Sequence, residues 1–115
     1  MKLNHTTGQA AENVALAFLQ AQGCILLARN WHCAYGEIDL IMRSGSLLLF
    51  IEVKYRKNTA FGGVAYSIGA SKLAKLQRSI EHYLQTHHLH KQACRLDAVL
   101  IQGQNPPQWI QNLTG

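Results

Sequence analysis

Glu37, Asp39 and Glu52 are three of only six carboxylates in this chain, and they fall in two short segments, Gly36-Glu37-Ile38-Asp39-Leu40-Ile41 and Glu52-Val53-Lys54. Both segments read as β-strands, in which side chains alternate between faces. Glu37 and Asp39 therefore share a face, and so do Glu52 and Lys54. Between them, Arg43-Ser44-Gly45-Ser46 signals a hairpin turn. With Ser44-Gly45 as the loop, Arg43 pairs with Ser46, Glu37 lies across from Glu52, and Asp39 is diagonal to Glu52. Like charges opposed across a ladder repel. A divalent cation is the economical neutraliser, and hard carboxylate oxygens suit Mg²⁺ or Mn²⁺. The competing structural reading is a buried Glu–Lys salt bridge, although such a pair does not need two further carboxylates beside it.

The elements that position these residues follow from periodicity. Ser46–Tyr55 is a strand whose Glu52/Lys54 face also carries Leu48 and Phe50, while Leu47, Leu49, Ile51, Val53 and Tyr55 line the other. A strand apolar on both faces is central and buried, and charges at its end are costly unless paired or metal-bound. Upstream, Cys24–Asn30 and Gly36–Arg43 complete a meander. Before it, a helix capped by Thr6 or Thr7 and closed by Gly23 carries Ala11, Val14, Ala15, Phe18 and Leu19 on one stripe. Glu12 lies at the edge of that stripe, either compensating the helix dipole in the first turn or pointing at the sheet as a fourth acid. Arg56-Lys57-Asn58-Thr59-Ala60-Phe61-Gly62-Gly63 is a basic, glycine-bearing loop, in which Arg56, Lys57 and the backbone near Gly62 and Gly63 could meet phosphates. It could equally be an ordinary solvated connection.

A second helix, capped by Ser71 and reaching Thr86, buries Leu73, Leu76, Ile80, Tyr83 and Leu84. Along its flank run Lys72, Lys75 and Arg78, a solvated face or a backbone-binding ridge. Cys94–Ile101 is a fourth strand, in which Asp97 reads as structural and able to pair with Arg95. The tail around Asn105-Pro106-Pro107 turns into a short edge element, with Trp109 packing. Helix, three strands, helix and strand make a layered α/β domain with a mixed sheet. The second helix is then a right-handed crossover between parallel strands.

One domain over residues 1–115 suits this length. The net charge of +5 favours a polyanionic partner such as nucleic acid. The three cysteines, Cys24, Cys33 and Cys94, form no CxxC pair and suggest free thiols in a reducing compartment. His87, His88 and His90 cluster without partners at zinc-ligand spacing and read as an exposed helix end. No apolar run reaches the ~18–20 residues of a membrane span. The first residues lack the apolar stretch of a secretory signal, so the expected location is the cytoplasm.

These residues, in this order, resemble the PD-(D/E)XK nuclease superfamily, and more closely the YraN-like bacterial family of small endonuclease-related proteins. The resemblance begins at Gly8-Gln9-Ala10-Ala11-Glu12-Asn13-Val14-Ala15 and passes through Leu27-Ala28-Arg29-Asn30. It is strongest at Gly36–Ile41 and at Phe50-Ile51-Glu52-Val53-Lys54-Tyr55-Arg56, and it continues with Lys72, Tyr83-Leu84 and Arg95-Leu96-Asp97-Ala98-Val99. Glu-Val-Lys alone is weak; the whole set at this spacing is specific. The motif's proline is absent, since Ile38 precedes Asp39.

The resemblance implies a restriction-endonuclease-like αβββαβ core, with a mixed central sheet flanked by helices. Asp39 and Glu52 would ligate Mg²⁺ or Mn²⁺, with the Val53 carbonyl completing the protein's share. Lys54 would orient or help deprotonate the attacking water. Glu12 matches the helix acid of the archaeal Holliday-junction-resolvase branch, while Glu37 has no general role in the superfamily and would support the ligands or a second metal. The implied activity is metal-dependent hydrolysis of DNA phosphodiesters, with structured or branched DNA as substrate in repair or recombination. A homodimer would suit the cutting of two strands. Two other readings stand beside it. One is a non-catalytic nucleic-acid-binding module that keeps the site, and the other is a scaffold whose acids form a buried charge network.

Overall fold

The computed structural model describes residues 2–57 and 67–115, with side chains from residue 8 onward. Gly62 and Gly63, offered above as phosphate contacts, lie outside the described residues. The elements are α1 (Lys2–Ala21), β1 (Ile25–Cys33), β2 (Gly36–Ser44), β3 (Leu47–Arg56), α2 (Ala70–Thr86), β4 (Cys94–Gln102) and β5 (Gln108–Ile110). This is the expected αβββαβ order, extended by the edge strand β5.

The five strands form one mixed sheet in the order β1-β2-β3-β4-β5. Neighbours joined by short turns run antiparallel, whereas β3 and β4, separated by α2, run parallel, as crossover connections require. The apolar alternation of β3 sends its two sets of side chains into two cores. Leu49 and Ile51 pack with Ala11, Ala15 and Leu19 of α1. Leu48 and Phe50 pack with Leu76, Ile80 and Tyr83 of α2. The helices therefore cover opposite faces, and β3 is central and buried on both. No helix among the described residues is long and apolar enough to cross a membrane.

Three sequence expectations are corrected. Helix α1 begins at Lys2 rather than after a Thr6 or Thr7 cap, because nothing between Lys2 and Thr7 is a glycine or proline that would break it. Glu12 is thus mid-helix, and first-turn dipole compensation does not account for it. Helix α2 starts at Ala70 behind Gly69 in extended backbone, with no side-chain cap, so Ser71 lies inside the helix. The β2–β3 turn is Gly45-Ser46, not Ser44-Gly45, since Ser44 pairs with Leu47. Gly45 has φ +59 at the first central position, where a type II′ hairpin wants glycine. Glu37 is therefore not opposite Glu52.

The end of α1 is as expected. Gly23 (φ +95) sits past its last residue, with Cys24 N–H donating to Leu19 O and Gly23 N–H to Gln20 O, each at 3.0 Å, the two bonds of a Schellman closure. Asp97, fully buried, accepts from the Arg95 guanidinium, from Trp109 Nε1 and from Asn112 N–H. That carboxylate fastens the C-terminal segment to β4, as its structural reading proposed.

Candidate metal centre

The site forms where β2 and β3 part. Their ladder runs from Ser44↔Leu47 to Leu40↔Ile51 and ends there, while β3 continues beside β4 as far as Arg56↔Gln102. Beyond the fork, Val53 N–H donates to Asp39 Oδ2 at 2.8 Å, so a carboxylate replaces the missing strand carbonyl. In extended backbone one residue's N–H and C=O project toward the same neighbouring strand. The Val53 carbonyl therefore faces the same gap.

A local break in both β1 and β2 aims the acids. Ile38 packs with the α2-side core and Leu40 with the α1-side core, although residues two apart in a regular strand share a face. Alternation fails between them, at Asp39. In β1, Arg29 reaches Glu12 of α1 while Trp31 packs edge-on against Tyr83 of α2. The intervening Asn30 has φ +49, a left-handed conformation that asparagine tolerates better than most residues. A bulge also leaves Leu27 unpaired between Leu26 and Ala28.

Glu12, Glu37 and Asp39 each offer a ligand atom, all within 4.8 Å of one another. Hard carboxylate oxygens of this kind are the donors that Mg²⁺ or Mn²⁺ takes. Glu52 stands outside this tight group. It shares β3's α2-side face with Phe50 and pairs with Lys72 Nζ at 3.7 Å. Acids thus approach the fork from both sides of the sheet.

Basic side chains attend the outer acids. Arg29 Nη2 lies 3.3 Å from Glu12 Oε1 and 3.0 Å from Asn13 Oδ1. His32 Nε2 lies 3.3 Å from Glu37 Oε1, and Lys72 serves Glu52. Asp39 has no such partner among the described residues. Burial pushes its carboxyl up to about 7 from the usual 3.8, the Val53 N–H bond opposes this, and the charges of Glu52, Glu12 and Glu37 add to the rise.

Of the other expected site residues, Lys54 is exposed, two positions beyond Glu52, and makes no ion pair among the described residues. Arg56 is half-buried and Lys57 exposed at the end of β3. Lys72 and Lys75 line a small recess that reaches Glu37, and Arg78 lies along the same helix edge. Sequence reasoning gave no role to Arg29 or His32. The available signal was an arginine inside an otherwise apolar strand segment, which asks for a buried partner. His87 Nδ1 donates to the Tyr83 carbonyl oxygen at 3.0 Å, its ring stacked on that of Tyr83, as a helix end would place it.

The profile of the uncharacterised protein family UPF0102 matches residues 11–101. The chain belongs to this family. The match spans Glu12 through β4 and so contains every acid of the fork. Among similar UPF0102 proteins, one from Neisseria meningitidis serogroup C (strain 053442) is 70% identical over 115 residues, covering 100% of both chains. One from Neisseria gonorrhoeae (strain FA 1090) is 68% identical, again over 100% of both. The UPF0102 protein of Shewanella loihica is 47% identical over 107 residues, 93% of this chain and 92% of its own.

Proposed function

We propose that this UPF0102 protein is a metal-dependent endonuclease of the PD-(D/E)XK type, hydrolysing phosphodiesters of structured or branched DNA. One observation carries the reading. Asp39, half-buried at a strand fork, is surrounded by carboxylates whose own basic partners leave it without a counter-ion among the described residues. A purely structural charge network would explain the outer pairs but gives Asp39 only the Val53 N–H, with no counter-ion among the described residues.

In this reading Asp39 and Glu52 would hold a Mg²⁺ or Mn²⁺ ion, with the Val53 carbonyl completing the protein's share. Glu12, steadied by Arg29, contributes from α1, and Glu37 supports the set. The bound ion would supply Lewis-acid stabilisation of charge building on the phosphoryl oxygens and would acidify a water. Lys54, exposed beside Glu52, orients the attacking water and adds positive charge toward the transition state. Arg56, Lys57, Lys75 and Arg78 hold flanking phosphates without reading bases. A homodimer would cut both strands of a symmetric substrate. Three free thiols fit a reducing cytoplasm.

The test is cleavage of linear duplex, single strand, flap and four-way junction with Mg²⁺ or Mn²⁺, with Asp39→Ala in parallel. Cleavage by the parent and not by the variant supports the reading. Equal cleavage by both sinks the site assignment. Binding without cleavage by either selects the alternative, a nucleic-acid-binding module that keeps the site.

A further inference from the structure

Tyr35 stands at the tip of the β1–β2 hairpin with 45% of its surface exposed. A hairpin tip does not need a large ring for packing, yet this one is braced from α2. Arg78 Cζ lies 5.8 Å from its centroid, and the His82 ring meets it at 6.3 Å and 70°. His82 in turn neighbours Trp31 at 5.8 Å, and Trp31 meets Tyr83 edge-on at 5.3 Å. Tyr83 closes the file on buried Phe50. An exposed ring fixed to the core in this way has little freedom left to lose on binding, which is preorganisation.

Two recesses meet at this ring. One is lined by Tyr35, Glu37, Lys72 and Lys75, so it joins the ring to the acidic fork and carries two ammonium groups along the path. The other, about 230 Å³, is lined by Tyr35, Arg78, Glu81, His82 and Gln85. Cations spaced between a carboxylate cluster and a braced aromatic ring match the alternation of phosphate and base along one strand. A base inside a duplex has both faces covered by its neighbours, whereas an unpaired base offers a face to an aromatic side chain. Glu81 and Gln85 supply an acceptor and an amide for a base edge.

We propose that Tyr35 is a stacking platform for an unpaired nucleobase, with Lys72 and Lys75 taking the phosphates between it and the acidic fork. The inference rests on the nuclease reading and adds the substrate class: a strand that is single beside the scissile bond, as in a flap or frayed end. Single-stranded DNA and RNA share this chemistry.

The experiment measures fluorescence anisotropy of a labelled oligothymidylate, an oligouridylate and a blunt hairpin duplex of equal length. The proteins are Asp39→Asn, which keeps the substrate intact, and the same protein carrying Tyr35→Ala or Tyr35→Phe. Single strands should bind more tightly than duplex. Tyr35→Ala should weaken single-strand binding by about tenfold, leave duplex binding in place and leave the salt dependence unaltered, since no phosphate contact is lost. Tyr35→Phe, which keeps the π face, should restore the affinity. Preference for the thymidylate or the uridylate names the source of the strand, and either one supports the platform. Unchanged single-strand binding in Tyr35→Ala overturns it, as does equal weakening of single strand and duplex, or no binding of any oligonucleotide. Mg²⁺-dependent cleavage by parent and Tyr35→Ala, run in parallel, separates the two ideas. Cleavage with an unaltered KM in Tyr35→Ala removes the platform and spares the nuclease. Tyr35-dependent binding with no cleavage removes the nuclease and leaves a single-strand-binding site.

Discussion

Asp39 makes the fold less stable than it would be without its charge, and the direction of its shift says when. With its carboxyl at about 7 in the fold and 3.8 as the ordinary value, the native protein holds a proton that the unfolded chain has released between those pH values. Stability therefore falls as pH rises from about 4 to 7 and levels off above. Asp39→Asn keeps an acceptor for Val53 N–H and removes the charge. It is expected to raise stability at pH 8 by of the order of 2 kcal/mol, to flatten that slope, and to converge with the parent at pH 4, all read by urea denaturation. Under the proposed function, Mg²⁺ or Mn²⁺ should stabilise the parent more at pH 8 than at pH 5, because the cation competes with the proton. Asp39→Asn should lose this effect, and an equal melting shift in both proteins would refute Asp39 as a ligand. The residue types at the fork were legible in the sequence because acids are rare in this chain. Their basic neighbours were not, since Arg29 and His32 become partners of Glu12 and Glu37 only through tertiary placement.

At the scale of elements, the sequence revealed which segments fold but not how two of them bend. Apolar periodicity gave α1's buried stripe, except for Val14, which is exposed, and the two-faced burial of β3, because burial is what that periodicity records. The β2–β3 register was ambiguous because Ser44-Gly45-Ser46 allows a turn on either side of the glycine, and a one-residue shift of the loop changes every opposed pair. The reversal of faces at Asn30 and Asp39 leaves no trace in hydrophobic pattern, since Asn30 alone takes up the left-handed backbone. Asn30→Val should cost about 1–2 kcal/mol, while Asn30→Gly should be nearly neutral; comparing their thermal midpoints tests the kink. At the other end of the sheet, Asp97→Ala strands the Arg95 guanidinium and frees the Trp109 and Asn112 donors. Its expected cost is about 3–5 kcal/mol, with loss of protection across β5 in hydrogen exchange.

For the whole molecule, the acids come from α1, β2 and β3, and Glu12 meets the strand acids only when α1 is packed on its face of the sheet. The net charge of +5 acts over a longer range than any of these contacts and sets the non-specific attraction to a polyanion. Oligonucleotide affinity should fall steeply with salt, and Lys75→Ala should lower the slope of log affinity against log salt by about 0.7–0.9. A slope near zero in the parent would exclude a phosphate-binding surface. Charge and composition raised this expectation from the start. The recess linking Glu37 to Tyr35 was hidden, because it exists only where the β1–β2 hairpin comes to rest on α2.

The parting of β2 and β3 leaves the Val53 amide protected by a side chain instead of a ladder. Its exchange with solvent deuterium thus answers to one carboxylate, while amides deeper in β3 answer to global unfolding. Protonating Asp39, or drawing it toward a cation, would loosen that single amide and leave its neighbours unaltered. Val53 is in this sense a built-in gauge, one backbone resonance that reports the state of the fork without any substrate present.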